Sequence, residues 1–268
     1  MPWIPRGLRE GIVTTPYPRR PDGYGRGFRA AVAVRPGPHD RSRVGAAATA
    51  CPTDAIADGA DGPRLDRGRC VLCGRCVALA PEAFELDADF ETAGVAREAL
   101  VVPALPESDA AVAAARAALH RRVRALRRSV HVRHVDAGSD GAVEWEVAAL
   151  TNPVYDVHRL GIFFTASPRH ADLLLATGVG AAGMLGPLRE TYEVMPEPKV
   201  VIAAGVDAVG GGLVGRGYAA AGGVGDTVPV DVWLPGAPPS PFGLLSAILL
   251  AVGLLPGGGH GTARGAGA

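Results

Sequence analysis

The chain lacks a net charge. Its 27 lysines and arginines balance 27 aspartates and glutamates over 268 residues, so no field of one sign is expected to draw a nucleic acid or another polyanion. Lysine is nearly absent while alanine and arginine abound, which points to GC-rich coding rather than to function. No apolar run is long enough to cross a bilayer. The best, residues 241–255, is about fifteen residues against the roughly twenty that a spanning helix needs, and a buried C-terminal helix is expected there. Nothing resembles a secretory signal, which argues against a disulfide framework and for a reducing cytoplasm. What is plentiful is apolar content, 48%, with 37 glycines and 23 prolines. The core can be well packed, and the length allows one large or two modest domains.

Cysteine is scarce too, but all four copies fall in one pattern. Cys70-Val-Leu-Cys73-Gly-Arg-Cys76 is a tight C-x-x-C-x-x-C turn, and Cys51-Pro52 lies upstream. A cubane needs four soft thiolates aimed inward; such a turn supplies three, and the fourth must come from elsewhere. The spacing resembles a ferredoxin loop. Two-cluster ferredoxins carry C-x-x-C-x-x-C-x-x-x-C-P twice, and the fourth cysteine of each copy ligates the other cluster. Here the second copy has Ala80-Pro81 at its fourth position. Counting back from Cys51-Pro52 gives Arg41, Val44 and Ala47 where the first copy would have its other three. Crossed ligation then leaves one cluster with four ligands and the other with none. One 4Fe-4S cluster on Cys51, Cys70, Cys73 and Cys76 is expected. A four-cysteine zinc site usually comes as two separated C-x-x-C pairs, which this is not.

Residues 1–40 are rich in proline and glycine and suggest an extended arm with a short helix near Leu8. Residues 41–94 are expected to form the ferredoxin-like domain, an α+β unit in which Phe84, Leu86 and Phe90 pack beside the cluster and Arg69 and Arg75 flank its loop. Residues 95–128 suggest a linker followed by a helix. Ser108 is placed to cap it, and Val112, Ala115, Leu119, Val123 and Leu126 recur at threes and fours. Arg121, Arg122, Arg124, Arg127 and Arg128 make that helix basic, facing either solvent or an acidic partner or lipid headgroups. Over 129–256, apolar runs at 130–135, 162–165, 173–177, 200–204 and 230–234 alternate with candidate helices at 143–150, 188–194 and 242–254. That alternation predicts an α/β domain with a parallel sheet covered on its faces, its sites at the carboxyl ends of the strands. Residues 257–268 are expected to be a disordered tail.

The loops of this second domain carry a resemblance. Gly138-Ser-Asp-Gly-Ala-Val-Glu144, Leu150-Thr-Asn-Pro-Val-Tyr-Asp156, Ser167-Pro-Arg-His-Ala-Asp172, Thr191-Tyr-Glu-Val-Met-Pro-Glu-Pro-Lys199, Gly210-Gly-Gly212 and Leu234-Pro-Gly-Ala-Pro-Pro239 occur in order. Together they resemble the small, cluster-bearing subunit shared by complex I, as its B-type subunit, and by the membrane-bound NiFe hydrogenases of formate hydrogenlyase type. The N-terminal part, with Gly7-Leu-Arg-Glu-Gly-Ile-Val-Thr-Thr15, resembles the polyferredoxin subunit of the same complexes. The resemblance implies a fusion of two electron-transfer subunits, a flavodoxin-like fold for the second domain, and a proximal cluster there. The family's cysteines for that cluster match Asp140, Val143, Asp207 and Ala237, none of which is a thiolate, so no cluster is expected in this domain. Asp140 and Asp207 could meet there and hold a divalent cation, though solvated loop carboxylates are the plainer expectation. Glu144 and Arg169 are implied to lie near that site, and His170 near the family's quinone or catalytic face.

The implied function is that of a non-catalytic electron-transfer subunit of a complex I-like or hydrogenase-like oxidoreductase. Its implied partners are the large subunit and the other subunits, and its implied location is cytoplasmic, peripheral on the inner face of the membrane through the complex. The alternative is a structural or assembly subunit with a non-relaying cluster. A flavin on the second domain is a weaker reading: Gly205-Val-Asp-Ala-Val-Gly-Gly-Gly212 lacks the spacing of a phosphate-binding loop.

Overall fold

The computed structural model describes residues 3–20, 28–59, 61–104, 106–126 and 129–255, with the backbone alone at 106–108 and 125. The elements in chain order begin with helix α1 (Trp3–Glu10), strand β1 (Ala31–Val34), α2 (Arg41–Thr49), β2 (Ile56–Gly59), β3 (Gly62–Asp66), α3 (Arg75–Leu79), β4 (Phe84–Asp87), β5 (Val101–Val102) and α4 (Pro106–Arg122). They continue with β6 (Val130–Asp136), α5 (Ala142–Ala149), β7 (Ile162–Phe164), β8 (Leu173–Thr177), α6 (Ala182–Val194), β9 (Val200–Ala204), α7 (Val206–Gly210), β10 (Val232–Leu234) and α8 (Pro241–Ala251).

The second half is built on a five-stranded parallel sheet in the order β10-β9-β8-β6-β7. Numbered within this domain, that is 2-1-3-4-5, the flavodoxin-like order. The central strands Leu-Leu-Leu-Ala-Thr and Val-Val-Ile-Ala-Ala are buried at every position. Both faces of the sheet are covered, so these strands are continuously apolar rather than alternating. Leu173, Leu175, Val200 and Ile202 face a core shared with α8, while Leu174, Ala176, Val201 and Ala203 face one shared with Leu188 and Met195. Helix α8 is apolar all round because it is buried all round. It lies against α5, β9 and β10, and Leu119, Val123 and Leu126 belong to the same core. Ser240 caps its first turn, accepting from Gly243 N at 3.2 Å.

The first half is the smaller α+β unit. Strand β1 pairs antiparallel with β4, and β2, β3 and β5 form a second antiparallel sheet. Val32, Val44, Ala47, Ile56, Leu65 and Phe84 make its core, together with Cys76.

This domain begins earlier than residue 41, because β1 lies inside the stretch expected to be an arm. Strand β5 likewise lies inside the expected linker. Both are short, and their partners are distant in sequence, so neither shows local alternation. The fourth helix starts at residue 106 rather than 109, and beyond Arg122 it tightens into a 3-10 turn over Val123–Ala125. The Ser108 side chain, Arg127, Arg128 and residues 257–268 lie outside what is described. Arg122 of the basic stripe ion-pairs with Asp231, whereas Arg121 and Arg124 are exposed.

The two units are joined by a dense seam. Gly94 and Trp233 exchange backbone hydrogen bonds of 2.9 and 2.7 Å, which extends the β10 edge with the first unit's chain. Phe242 of α8 is the centre of an aromatic group in which Tyr17, Phe28, Phe90 and Tyr155 lie 5.0–5.9 Å away by ring centroid. Thr15 N donates to Val154 O at 2.8 Å, and Arg159 Nη2 donates to Tyr17 O at 2.6 Å, strapping the arm to the second unit.

Candidate metal centre

Cys51, Cys70, Cys73 and Cys76, all free thiols, line one cavity of about 310 Å³ including its open mouth. Cys51 follows α2, Cys70 and Cys73 lie in the loop after β3, and Cys76 sits in the first turn of α3. Val32, Ala47 and Ile56 give the cavity an apolar floor. The chain wraps it through left-handed residues: Asp54 at φ 50°, Leu72 at φ 55° and Gly74 at φ 74°. This turns backbone donors inward. Ala55 N donates to Cys51 Sγ at 3.3 Å, and the amides of Leu72 and Val77 favour the thiolate forms of Cys70 and Cys76.

Four thiols on one wall, backbone N–H groups aimed at sulfur and an apolar floor suit a thiolate-ligated iron–sulfur cubane. Burial pushes the Cys70 thiol up to about 11, partly offset by the Leu72 amide, with the neighbouring cysteines adding to the rise. Cys76 is raised for the same leading reason. Without metal these are protonated thiols, so metal uptake would release protons.

Of the aromatic and apolar residues expected beside the thiols, only Phe84 is there. Leu86 faces outward, and Phe90 belongs to the group around Phe242. Arg75 lines the cavity mouth and donates to Ala50 O at 3.4 Å. Arg69 is exposed and lies beside Gly210, where any side chain would begin 2.7 Å from Gly68 O. The thiol loop therefore rests on the second unit.

It rests beside a second group of loops. Asp140, Val143, Asp207 and Ala237 follow β6, β9 and β10 at their carboxyl ends and come together. A Cβ at Gly205 would lie 2.8 Å from Val143 Cγ2 and 3.8 Å from both Gly236 O and Pro239 Cδ, so only glycine fits between these loops. Burial raises Asp207 above the usual carboxylate range, and the charges of Asp140 and then Glu144 add to the rise. Asp140 itself is an exposed turn residue, accepting from Ala142 N at 2.9 Å. Asp140, Glu144 and Asp207 do not gather, among the described residues, into a set able to hold an ion.

Glu144 has a different role from its neighbours. Ser139 Oγ donates to its Oε2 at 2.7 Å, and Thr177 Oγ1 donates to its Oε1. Because the Thr177 hydrogen is used in this way, His134 Nε2, 3.1 Å from Thr177 Oγ1, is the donor, which makes the imidazole the Nε2–H tautomer. Burial lowers the His134 pKa, against the opposing pull of Glu144 and Asp136. Nothing in the sequence singled out His134 or Thr177; they meet only because β6 and β8 are adjacent in the sheet. Arg169 and His170 are exposed in the 3-10 turn Pro168–His170.

Two family profiles match the chain: "NADH ubiquinone oxidoreductase, 20 Kd subunit" over residues 141–251 and "4Fe-4S single cluster domain" over residues 64–119. The second match contains Cys70, Cys73 and Cys76 and begins after Cys51. Formate hydrogenlyase subunit 7 of Escherichia coli is 37% identical over 159 residues, 59% of this chain and 61% of that protein. An uncharacterized protein of Methanocaldococcus jannaschii is 40% identical over 123 residues, 46% of this chain and 82% of that protein. The probable membrane-bound hydrogenase subunit mbhJ of Pyrococcus furiosus is 38% identical over 125 residues, 47% of this chain and 75% of that protein. The chain thus spans less than two thirds of the formate hydrogenlyase subunit and most of the other two. With the flavodoxin-like sheet and the thiol-lined cavity described above, these matches identify an iron–sulfur protein: the chain belongs to the family of the 20 kDa subunit of NADH–ubiquinone oxidoreductase, fused to a 4Fe-4S domain.

Proposed function

We propose that this chain is an electron-transfer subunit of a complex I-like or membrane-bound hydrogenase-like assembly. Cys51, Cys70, Cys73 and Cys76 would hold a single 4Fe-4S cluster, and the flavodoxin-like unit would be the docking body for a large partner subunit. The observation that carries this reading is the convergence of all four cysteines on one cavity, beside a second site with no thiolate. The cluster, when bound, supplies a one-electron couple. The chain's own residues do the rest: four thiols hold it, the amides of Ala55, Leu72 and Val77 stabilise charge on sulfur, and Val32, Ala47 and Ile56 exclude water. No side chain here makes or breaks a bond of a substrate. The chain would sit in the cytoplasm, peripheral on the inner face of the membrane through its complex. Among the described residues no helix is long and apolar enough to cross a membrane.

One observation favours a second reading. The family's proximal position holds Asp140, Val143, Asp207 and Ala237, which offer iron no sulfur, so the relay has no further cluster in this chain. A structural or assembly subunit with a non-relaying cluster accounts for that loss.

Anaerobic purification followed by iron and sulfide analysis and EPR of the reduced protein tests the cluster. About four irons per chain are expected, as for one cubane; about eight, with two interacting paramagnets, would overturn the single-cluster assignment. Cys51→Ser is expected to lose most of the iron. A variant that keeps it as firmly as the parent removes Cys51 from the ligand set. Reoxidation of the reduced chain on adding the large subunit supports electron transfer, and a cluster that no donor or partner can cycle supports the structural role.

A further inference from the structure

Four arginines lie around the thiol loop, and they differ in how much of their charge reaches the sulfurs. Arg69 and Arg75 are exposed, so water screens them. Arg97 is neutralised by Asp66 in a two-point ion pair, Nη1 to Oδ1 at 2.8 Å and Nη2 to Oδ2 at 2.7 Å. Arg67 is unlike the other three. Its side chain is 19% exposed, and its nearest carboxylate, Asp87, stands at 3.9 Å. Its Nε donates to Val32 O at 3.2 Å.

Arg67 lines a second cavity, of about 200 Å³ including its open mouth, together with Cys70, Leu72, Pro235 and Gly236. Pro235 and Gly236 belong to the loop that follows β10. This places a largely buried cation, with one carboxylate at 3.9 Å, against one edge of the cluster loop, where a charge acts more strongly than at the surface.

We infer that Arg67 is a positioning residue that sets the reduction potential of the cluster, holding it above the value that the cysteines and backbone amides alone would give. A cluster gains negative charge on reduction, so a fixed buried cation beside Cys70 stabilises the reduced form. Asp87 opposes it, and Asp89 acts on Arg67 in the same sense. The inference rests on the reading of Cys51, Cys70, Cys73 and Cys76 as cluster ligands.

Redox titration of the full-length protein, followed by EPR of the reduced cluster, tests it without any partner. Arg67→Met is expected to lower the reduced-to-oxidised ratio at a fixed ambient potential at least tenfold, about 59 mV for a one-electron couple. Arg67→Lys is expected to stay within about threefold of the parent, as are Arg69→Met and Arg75→Met, whose charges water screens. Asp87→Asn is expected to shift the ratio the opposite way. Should Arg67→Met fail to take up iron, Asp87→Asn decides: a rise supports the assignment and an unmoved potential overturns it. A parent with no cluster overturns the ligand reading itself. A clustered parent whose potential ignores both substitutions overturns only the role of Arg67.

Discussion

At the scale of single residues, Asp140, Val143, Asp207 and Ala237 belong to ordinary loop packing with one discordant group. Asp207 is half-buried, and Asp140 and Glu144 are the charges that face it. Its folded pKa lies above the ordinary 3.8, with burial the largest cause. A raised carboxylate favours folding at pH values below 3.8, and that contribution is lost as pH rises through the folded pKa. At neutral pH the ionised group is therefore a net cost. Asp207→Asn is expected to raise the urea midpoint at pH 7, and the gain is expected to vanish near pH 3; an unchanged midpoint at pH 7 would refute it. His134 contributes with the opposite pH trend. Its folded pKa is lowered below 6.5, mainly by burial, so its contribution is complete above pH 6.5 and is lost as pH falls through the folded value. His134→Gln is expected to flatten the stability profile in that acidic window while leaving the alkaline side unaltered.

At the scale of elements, the sequence was most legible where burial is most uniform. Residues 173–177 and 200–204 form unbroken apolar runs because both faces of the sheet are covered, and the observed strands have these same bounds. The buried C-terminal helix was equally plain from its fully apolar stretch. Strands β1 and β5 could not be seen in advance, because their pairing is set by residues far along the chain. Helix α6 starts six residues before its expected beginning at 188; Gly183, Gly186 and Pro187 are poor helix formers that hid its first turns. The cysteine spacing foretold the thiol-lined cavity, but exposure has no sequence signature. By sequence position Arg69 and Arg75 are the arginines that flank the loop, and nothing marks Arg67.

Phe90 shows the same gap. It is close to the cysteines in sequence, yet it stacks on Phe242 at 5.0 Å. Because Phe242 is fully buried and touches four aromatic rings, Phe242→Ala is expected to cost about 3–5 kcal/mol in unfolding free energy by urea titration. A loss below about 1 kcal/mol would mean that the seam relaxes to fill the gap.

At the scale of the whole molecule, the two units form one body with a shared core. Tyr17, Ala93 and Val95 from the first half are buried in the same cluster as β6, β8, β9 and α8. A fragment beginning at residue 129 would lose the Gly94 partner of Trp233 and most of the aromatic cover of Phe242. It would then present an unpaired sheet edge and an apolar patch, both prone to association. Expressed alone, it is expected to aggregate or to bind a hydrophobic dye strongly, whereas the full chain should elute as a defined species in size-exclusion chromatography. A monodisperse, dye-silent fragment would contradict this. At the same seam Gly210 lies against Gly68 and Arg69, and Pro235 shares a cavity with Cys70 and Leu72, so loops of the second unit border the neighbouring thiol loop.

The seam also sets an order of events during synthesis. A ribosome works at about 5–20 residues per second, so Phe242 leaves it on the order of ten seconds after Phe90. For nearly all of that interval Cys70 and Leu72 have emerged, while Pro235 and Gly236, which line the same cavity, do not yet exist. A nascent chain halted short of residue 235 therefore leaves Cys70 without those two neighbours. One border of that cavity is thus supplied by the last eighth of the polypeptide, long after the cysteines themselves have been made.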